Sequence, residues 1–445
     1  GSKDENVFDI QQGVAISFFV KKSKKSSKCK VYYADMYGRR NDKYKWLNTY
    51  SFEELEWVKL QPTAPYYLFK PNSLDKNNNY NNGYKLTELF NEYTSGLITG
   101  RDSLTIGFSK ENLKDKILIF TDLSLNDGYI REIFWPNKKL GKTLPGDTTE
   151  WSMSKCREVI RDNEHDKYIR KITYRPFDFR YIYYSPDIIA RGKEQTLGGL
   201  KKPNIAIISA RSNKSGLCDH FYITEDIAEA KCGESTTQST VFPLFVGEQV
   251  KVGGDSNLNK NLAEQIAGKV GLSYTDKKTA VGIENGEIGP YDIIYYTYAI
   301  MNSNIYRDTY KEQLAIDFPI IPFPTSKDNL SSLISLGNKI KKAHLMEFKK
   351  KVDTCFEYSN DNNVVEKCKF ENGSVIINNS QEFSNVTADD WNYTIGGYQV
   401  LHKWLKDRKG LNLTSEDITH YEKIIFAIRK SREIMAEIDS IIKKL

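Results

Sequence analysis

The sequence predicts an α+β chain in which a β-rich middle is followed by a helical C-terminal region with long amphipathic helices. Apolar runs with a period of two recur from about residue 97 to residue 250. Apolar residues at three- and four-residue spacing recur over 330–352 and 418–442, the pattern of helices that bury one face. Between these regions Pro319-Ile320-Ile321-Pro322-Phe323-Pro324 reads as extended, because each proline disfavours helix in the residue before it, and it marks a boundary. The expected partition is therefore 3–60, 61–325 and 326–445.

In order along the chain, Val7 to Val20 reads as a strand, a turn at Gly13 and a second, almost wholly apolar strand. A lysine run follows (Lys21, Lys22, Lys24, Lys25, Lys28, Lys30), either a solvated hairpin tip or a phosphate contact, and 31–36 completes the hairpin. Residues 41–65 suit a short helix and a strand, 75–83 a polar loop, and 85–93 an amphipathic helix. Leu104 to Phe108 reads as a strand, 130–147 as a basic loop that includes Lys138, Lys139 and Lys142, and 151–161 as a helix. Strands are expected at 204–211, 220–223 and 241–246, often ending in Arg or Lys. Helices are expected at 259–270 and at 291–310, the latter rich in tyrosine. The helix at 327–353 places His344 on its apolar face, where a packed core histidine is the expectation. Val375-Ile376-Ile377 reads as a strand of a small sheet, and a final helix opens at a Thr414 or Ser415 cap with Glu416 and Asp417 in its first turn.

At 445 residues the chain exceeds one ordinary core and should hold two or three domains. Hydrophobic content of 39%, with 28 Tyr and 21 Phe, is ample for buried cores. The net charge of +6 is too small for a global field, so any polyanion binding has to come from local clusters. Cys29, Cys156, Cys218, Cys232, Cys355 and Cys368 include no Cys-x-x-Cys pair, which points to free thiols in a reducing compartment rather than a zinc ribbon. Cys218, His220 and Cys232 match no standard finger spacing, so no metal is expected. No apolar run approaches membrane-spanning length. Gly1-Ser2 stands where an initiator Met would be and reads as a tag-cleavage remnant, so the chain is expected to be a piece of a longer protein.

The stretch Lys171 to Tyr184 carries the most chemistry. Its alternation gives two strands interrupted at Pro176, which cannot donate a ladder hydrogen bond. Arg175 and Asp178 are spaced to pair across the Pro176-Phe177 corner, and Arg180 re-emerges on the second strand. This is either a salt-bridged turn inside a β core or a stiff platform from which Arg175 or Arg180 meets a base edge or phosphate. Gly96 and Gly100 flank either a short strand where backbone can approach something closely, with Thr99 and Arg101 as donors, or a plain turn before the strand at Leu104. Arg191, Lys193 and Arg211 continue the basic theme at strand ends.

Four stretches in order resemble the C-terminal specificity region of Type ISP restriction-modification enzymes. They are Phe8 to Ile16, similar to the strand that closes the methyltransferase sheet; Gly96 to Asp102, similar to Gly-x-x-Thr-x-Arg-Asp; Tyr174-Arg175-Pro176-Phe177-Asp178-Phe179-Arg180; and Ile395-Gly396-Gly397-Tyr398 with Val400, Lys403, Trp404, Leu405, Lys406 and Arg408. The resemblance implies trailing strands of an adenine methyltransferase domain, or a linker, over 3–60. It implies a β-rich target recognition domain over 61–325 and a helical region with a small sheet over 326–445. It further implies sequence-specific binding of double-stranded DNA in phage defence, in the cytoplasm of a bacterium or archaeon. The partner would be a methyltransferase domain of the same polypeptide or of another subunit. S-adenosylmethionine, ATP and Mg²⁺ would serve the parent enzyme, with no cofactor and no catalytic residue in this fragment, since neither Asn-Pro-Pro-Tyr, Asp-Pro-Pro-Tyr nor Phe-x-Gly-x-Gly occurs. The DNA-binding candidates are Thr99, Arg101, Arg175, Arg180, Arg191, Lys193 and Arg211; Pro176, Phe177, Asp178, Gly396, Gly397, Tyr398 and Trp404 are expected to build the frame.

Two other classes compete. Pro186-Asp187 with Glu229-Ala230-Lys231 formally matches the acid and lysine set of a Mg²⁺-dependent nuclease. The two long helices could instead make a protein-interaction scaffold that docks a methyltransferase or pairs with another specificity region.

Overall fold

The computed structural model describes residues 4–443 except 9, 11–13, 22–28, 65–66, 72–79, 140, 215, 248–253, 349–354 and 357–361. The chain divides into two compact units, residues 1–78 and 79–445.

In the first unit β1 (Val31–Tyr33) pairs antiparallel with β2 (Val58–Leu60), and α1 (Arg40–Thr49) lies between them in sequence. The expected hairpin thus takes its partner from after the helix and not from before the lysines. Val14 to Val20 is irregular, with Phe18 and Phe19 more than 80% exposed, so the expected apolar strand is not formed. A strand exists only where a neighbour satisfies its backbone groups, and among the described residues this segment has none. Lys21 and Lys30 are exposed; Lys22, Lys24, Lys25 and Lys28 lie outside the described residues.

The second unit opens with β3 (Tyr84–Lys85), α2 (Leu86–Leu89), β4 (Thr94–Ser95), α3 (Asp102–Thr105) and β5 (Ile106–Gly107). Only one turn of the helix expected over 85–93 forms, and most of the loop expected before it (75–79) lies outside the described residues. Leu104 and Thr105 close α3 instead of starting a strand. Three helices follow: α4 (Lys110–Thr121), α5 (Asp127–Phe134) and α6 (Met153–Ile160). The first two correct the sequence reading, which made 130–147 a loop throughout and let strands dominate from 97 to 250. Ser109 and Asn126 cap them by accepting from Asn112 N and Tyr129 N, the cap chemistry that short amphipathic helices need.

Next come β6 (Ile169–Arg175), β7 (Asp178–Tyr183), α7 (Glu194–Leu197), β8 (Ala206–Ala210), β9 (Tyr222–Thr224), β10 (Ile227–Ala228) and β11 (Ser239–Pro243). They build two four-stranded sheets, in the orders β10-β6-β7-β5 and β4-β11-β8-β9. The second sheet is buried on both faces. Along β8, Ala206 and Ile208 enter one core while Ile207 enters the other, as do Val241 and Phe242 on β11. Such strands read as continuous apolar runs because both sides of the pleat are covered.

Beyond them lie α8 (Lys260–Gly268), β12 (Ser273–Tyr274), β13 (Glu287–Ile288), α9 (Pro290–Met301), α10 (Asn304–Thr309), α11 (Lys311–Leu314), β14 (Ile320–Ile321) and α12 (Lys327–His344). The helix expected over 291–310 is broken at Asn302 and Ser303, where Ser303 caps α10 by accepting from Tyr306 N. A small sheet, β15 (Lys369–Glu371), β16 (Ser374–Ile376) and β17 (Glu382–Phe383), precedes α13 (Ala388–Trp391), the hairpin β18 (Thr394–Ile395) and β19 (Tyr398–Gln399), α14 (Val400–Lys406) and α15 (Ser415–Ile442). Thr414 caps α15 in a capping box with Asp417. This last helix spans both cores: Ile418 to Ile428 pack with the first sheet's cluster, Ile434 to Ile438 with the second's. It packs along α12, as the matching apolar faces predict.

Candidate nucleic-acid interface

The β6–β7 hairpin is the centre of the site. A register with Ile172 opposite Arg180 puts Tyr174 diagonally across from Arg180, within reach of a long side chain. The guanidinium carbon of Arg180 lies 3.8 Å from the Tyr174 ring centroid and 4.5 Å from that of Phe108. Arg408 lies 4.8 Å from Phe108 and 3.6 Å from Trp404. Arg175 lies 4.0 Å from Tyr174 and 5.7 Å from Tyr398. The result is one ladder in which rings and guanidiniums alternate: Tyr398, Arg175, Tyr174, Arg180, Phe108, Arg408, Trp404. Arginine suits such stacking because its planar cation is more weakly hydrated than an ammonium.

Carboxylates flank the ladder. Arg180 donates to Asp178 at 2.6 Å and to Asp407 at 2.8 Å, and Arg408 donates to the other oxygen of Asp178 at 3.0 Å. Burial alone would raise the Asp178 carboxyl, but the two guanidiniums hold it down to about 2. Arg175 pairs with Glu229, which corrects the expected Arg175–Asp178 pair: those two residues are opposite in backbone register only. Burial raises the Glu229 pKa, with Arg175 opposing.

The turn itself is strained and then secured. Phe177 takes φ +60, which an L residue rarely adopts, at a two-residue corner after Pro176. Its N–H donates to the Tyr222 hydroxyl at 3.0 Å, and its carbonyl lies 2.8 Å from His420 Nε2 on α15. Tyr222 in turn donates to the His344 carbonyl at 2.8 Å, so α12 and α15 both grip the corner. His344 is fully buried, as the apolar face of its helix suggested.

The two glycine motifs close against one loop. A Cβ on Gly96 would meet the Glu229 carbonyl oxygen at 2.5 Å, and one on Gly396, at φ +59, would meet the Gly233 carbonyl oxygen at 1.9 Å. Gly397 is the exposed partner in the β18–β19 turn, and the Tyr398 hydroxyl donates to the Lys231 carbonyl at 3.0 Å.

Thr99 is buried, with its hydroxyl on Asp102 at the start of α3. Arg101 is buried, donates to the Ile188 carbonyl at 2.9 Å and stacks 3.5 Å from the Trp151 ring; burial lowers its pKa. Arg191 and Lys193 are exposed on the loop whose backbone bridges Ile98, and Arg211 is exposed beside Asp317 at 3.7 Å. The structure therefore joins Arg175, Arg180, Asp178, Tyr398 and Trp404 in one array, and leaves Arg191, Lys193 and Arg211 at the surface. Phe108 and Trp151 escaped the sequence reading; Tyr174 and Arg408 lay inside the quoted motifs with no role assigned. Glu229 is engaged by Arg175 and Asp187 by Ser185, and no group of three His, Cys, Asp or Glu among the described residues is placed to hold a metal ion.

The family model of the Type ISP C-terminal specificity domain matches residues 88–437. Among solved structures, a nuclease-deletion mutant of the Type ISP restriction-modification enzyme LlaGI, in complex with a DNA substrate mimic, is similar with a TM-score of 0.61 at 20% identity, over 93% of this chain and 33% of that one. The ATP-dependent Type ISP restriction-modification enzyme LlaBIII bound to DNA gives 0.59 at 19%, over 86% and 26%. A DrdV–DNA complex gives 0.61 at 18%, over 94% and 43%. At these identities the likeness is one of fold, and the chain spans about a third of the LlaGI chain. No curated protein matches.

Proposed function

The chain belongs to the Type ISP C-terminal specificity domain family, and on that footing we propose that it reads a short duplex DNA sequence on behalf of a restriction-modification enzyme that methylates adenine and cleaves unmodified DNA. The observation that carries the reading is the family match over 88–437, which takes in both sheets, the cation–π ladder and the grip of α12 and α15 on its corner.

Within that reading the basic residues divide by exposure. Base-edge recognition needs donors held on a rigid frame yet free to leave water for a base. Arg175 and Arg180 are committed to carboxylates and rings, and Arg101 to a carbonyl and Trp151; with Thr99 they form the frame. Arg191, Lys193 and Arg211 are the reading or phosphate-positioning groups. On this reading the target recognition domain would run over 61–325, the helical clamp over 326–445, and the trailing part of a methyltransferase domain or linker over 3–60. S-adenosylmethionine, ATP and Mg²⁺ then serve other parts of the parent polypeptide, in the cytoplasm of a bacterium or archaeon. No helix among the described residues is long and apolar enough to cross a membrane.

The test is selection of this chain's ligands from a random pool of duplexes, followed by sequencing and by competition between selected and scrambled duplexes at two salt concentrations. A common motif bound in preference to scrambled DNA supports the reading. Retention of no common sequence would sink it.

A further inference from the structure

Trp151 is a half-buried aromatic ring with a fixed plane, packed beside the first core and bordering solvent. Its indole N–H donates to the Asp187 carbonyl at 2.8 Å, and its backbone N–H and carbonyl are both held by Thr148. The Arg101 guanidinium, itself buried and tied to the Ile188 carbonyl, covers one face at 3.5 Å. Trp151 lines a shallow cleft of about 180 Å³ together with Glu150, Ser152, Lys155, Cys156, Val159 and Asp187. Among the described residues Arg101 is the one cation over the Trp151 ring.

We propose that this cleft is a stacking site for one unstacked nucleobase that carries an exocyclic amino group, a cytosine, adenine or guanine in DNA. The inference rests on the DNA-recognition reading above and adds a subsite to it. An aromatic face held rigid by its neighbours costs little ordering when a base stacks on it, and every base has a π-face to offer. The rim decides which base. Glu150 and Asp187 are exposed carboxylates that accept from an amino group and repel a phosphate, and Lys155 donates to a ring nitrogen or carbonyl oxygen. Thymine offers only its ring N3–H, flanked by two carbonyl oxygens that the carboxylates repel. The loop that carries Asp187 continues to the exposed Arg191 and Lys193, so phosphate neutralisation is supplied beside the cleft and not inside it.

The test compares three probes by fluorescence anisotropy: a fully paired duplex, the same duplex with one bulged cytosine, and the same duplex with one bulged thymine. The intact chain should bind the cytosine bulge about ten-fold more tightly than the paired duplex, and the thymine bulge much less favourably. Trp151→Ala should lower affinity for the cytosine bulge more than for the paired duplex, so that the preference disappears, while Trp151→Phe, which keeps a ring, should retain most of it. Should Trp151→Ala melt early, Trp151→Phe and the folded surface variant Asp187→Asn, expected to narrow the gap between the bulges, carry the comparison. Equal binding of paired and bulged duplexes by the intact chain overturns this inference alone. A preference that survives Trp151→Ala, or a loss shared equally by all three probes, does the same. If no duplex binds at low salt, the recognition reading fails and takes this subsite with it.

Discussion

Replacing Asp178 by Asn tests whether the cation–π ladder is a structural frame. The carboxylate is 2% exposed and bridges two guanidiniums, Arg180 and Arg408, which are themselves at most 9% exposed. Removing its charge leaves Arg408 with Asp417 at 3.6 Å and the Trp404 carbonyl, while Arg180 keeps Asp407. Breaking one partner out of a buried pair costs about 3–5 kcal/mol. Linkage gives a similar figure: a carboxyl held at about 2 instead of its ordinary 3.8 stabilises the fold by roughly 2.5 kcal/mol at neutral pH. A loss of about 3 kcal/mol lowers the melting temperature by roughly 4 °C for a cooperative unit of this size. The pH dependence has a definite sign. The folded pKa is depressed, so the stabilisation is full above the unfolded value near 4 and is lost as pH falls toward 2. Thermal unfolding followed by circular dichroism should therefore show a constant gap between Asp178→Asn and the parent from pH 7 to about 5, narrowing below 4. Asp407→Asn, which removes a more exposed partner and leaves Arg180 paired with Asp178, should cost less than Asp178→Asn. Equal melting temperatures of Asp178→Asn and the parent at pH 7 would refute the frame.

Other outcomes follow from the same geometry. Ile428→Asp places a charge on the face by which α15 joins the first core, and should cost more than about 3 kcal/mol; a soluble variant with unchanged melting would show that face to be free. Arg191→Ala, tested separately from Lys193→Ala, should fold normally. A base-reading arginine costs about 1–3 kcal/mol in specific binding, whereas a phosphate contact shallows the salt dependence across all sequences. Burial holds His220 and His344 down to about 3, against an unfolded value near 6.5. The unfolded state then binds more protons between those limits, so the urea midpoint should fall as pH drops from 6.5 toward 3; a flat midpoint from pH 7 to 5 would contradict the burial of both rings. Incubation with S-adenosylmethionine, Mg²⁺ and plasmid should leave the DNA unmodified and uncut, and cleavage abolished by Glu229→Ala would replace recognition with the nuclease reading.

The elements that the sequence disclosed are those whose periodicity matches their burial. β6, β7 and α15 each keep one face toward a core, and their bounds followed from alternation, Pro176 and the Thr414 cap. The failures have two causes. α4 and α5 expose Leu118, Ile119, Tyr129 and Ile133, which blurs the helical period that caps at Ser109 and Asn126 would have disclosed. Val14 to Val20 shows the reverse: a strong β pattern with no strand beside it among the described residues, since strand formation depends on a neighbour that a local pattern cannot supply.

The pairing at the corner differs for another reason, which bears on what its arginines do. Spacing suggested Arg175 with Asp178, yet Asp178 is taken by Arg180 from the same strand and by Arg408 from beyond α14, and Arg175 by Glu229. Local spacing ranks partners by chain distance; the fold ranks them by burial, and a deeply buried carboxylate needs more than one cation to repay its desolvation. That same need ties the hairpin to the segment after α14, while Phe177 at its corner is held by Tyr222 and His420. A turn with an unfavourable φ persists only where its surroundings over-determine it, and here two helices and a second sheet do so. An arginine locked into such an array cannot turn toward a base without abandoning a buried carboxylate, at a cost of several kcal/mol that a single bidentate base contact, at about 1–3 kcal/mol, does not recover. On the proposed reading, sequence choice then belongs to groups at the rim of this frame, and the buried arginines act by fixing where that rim stands.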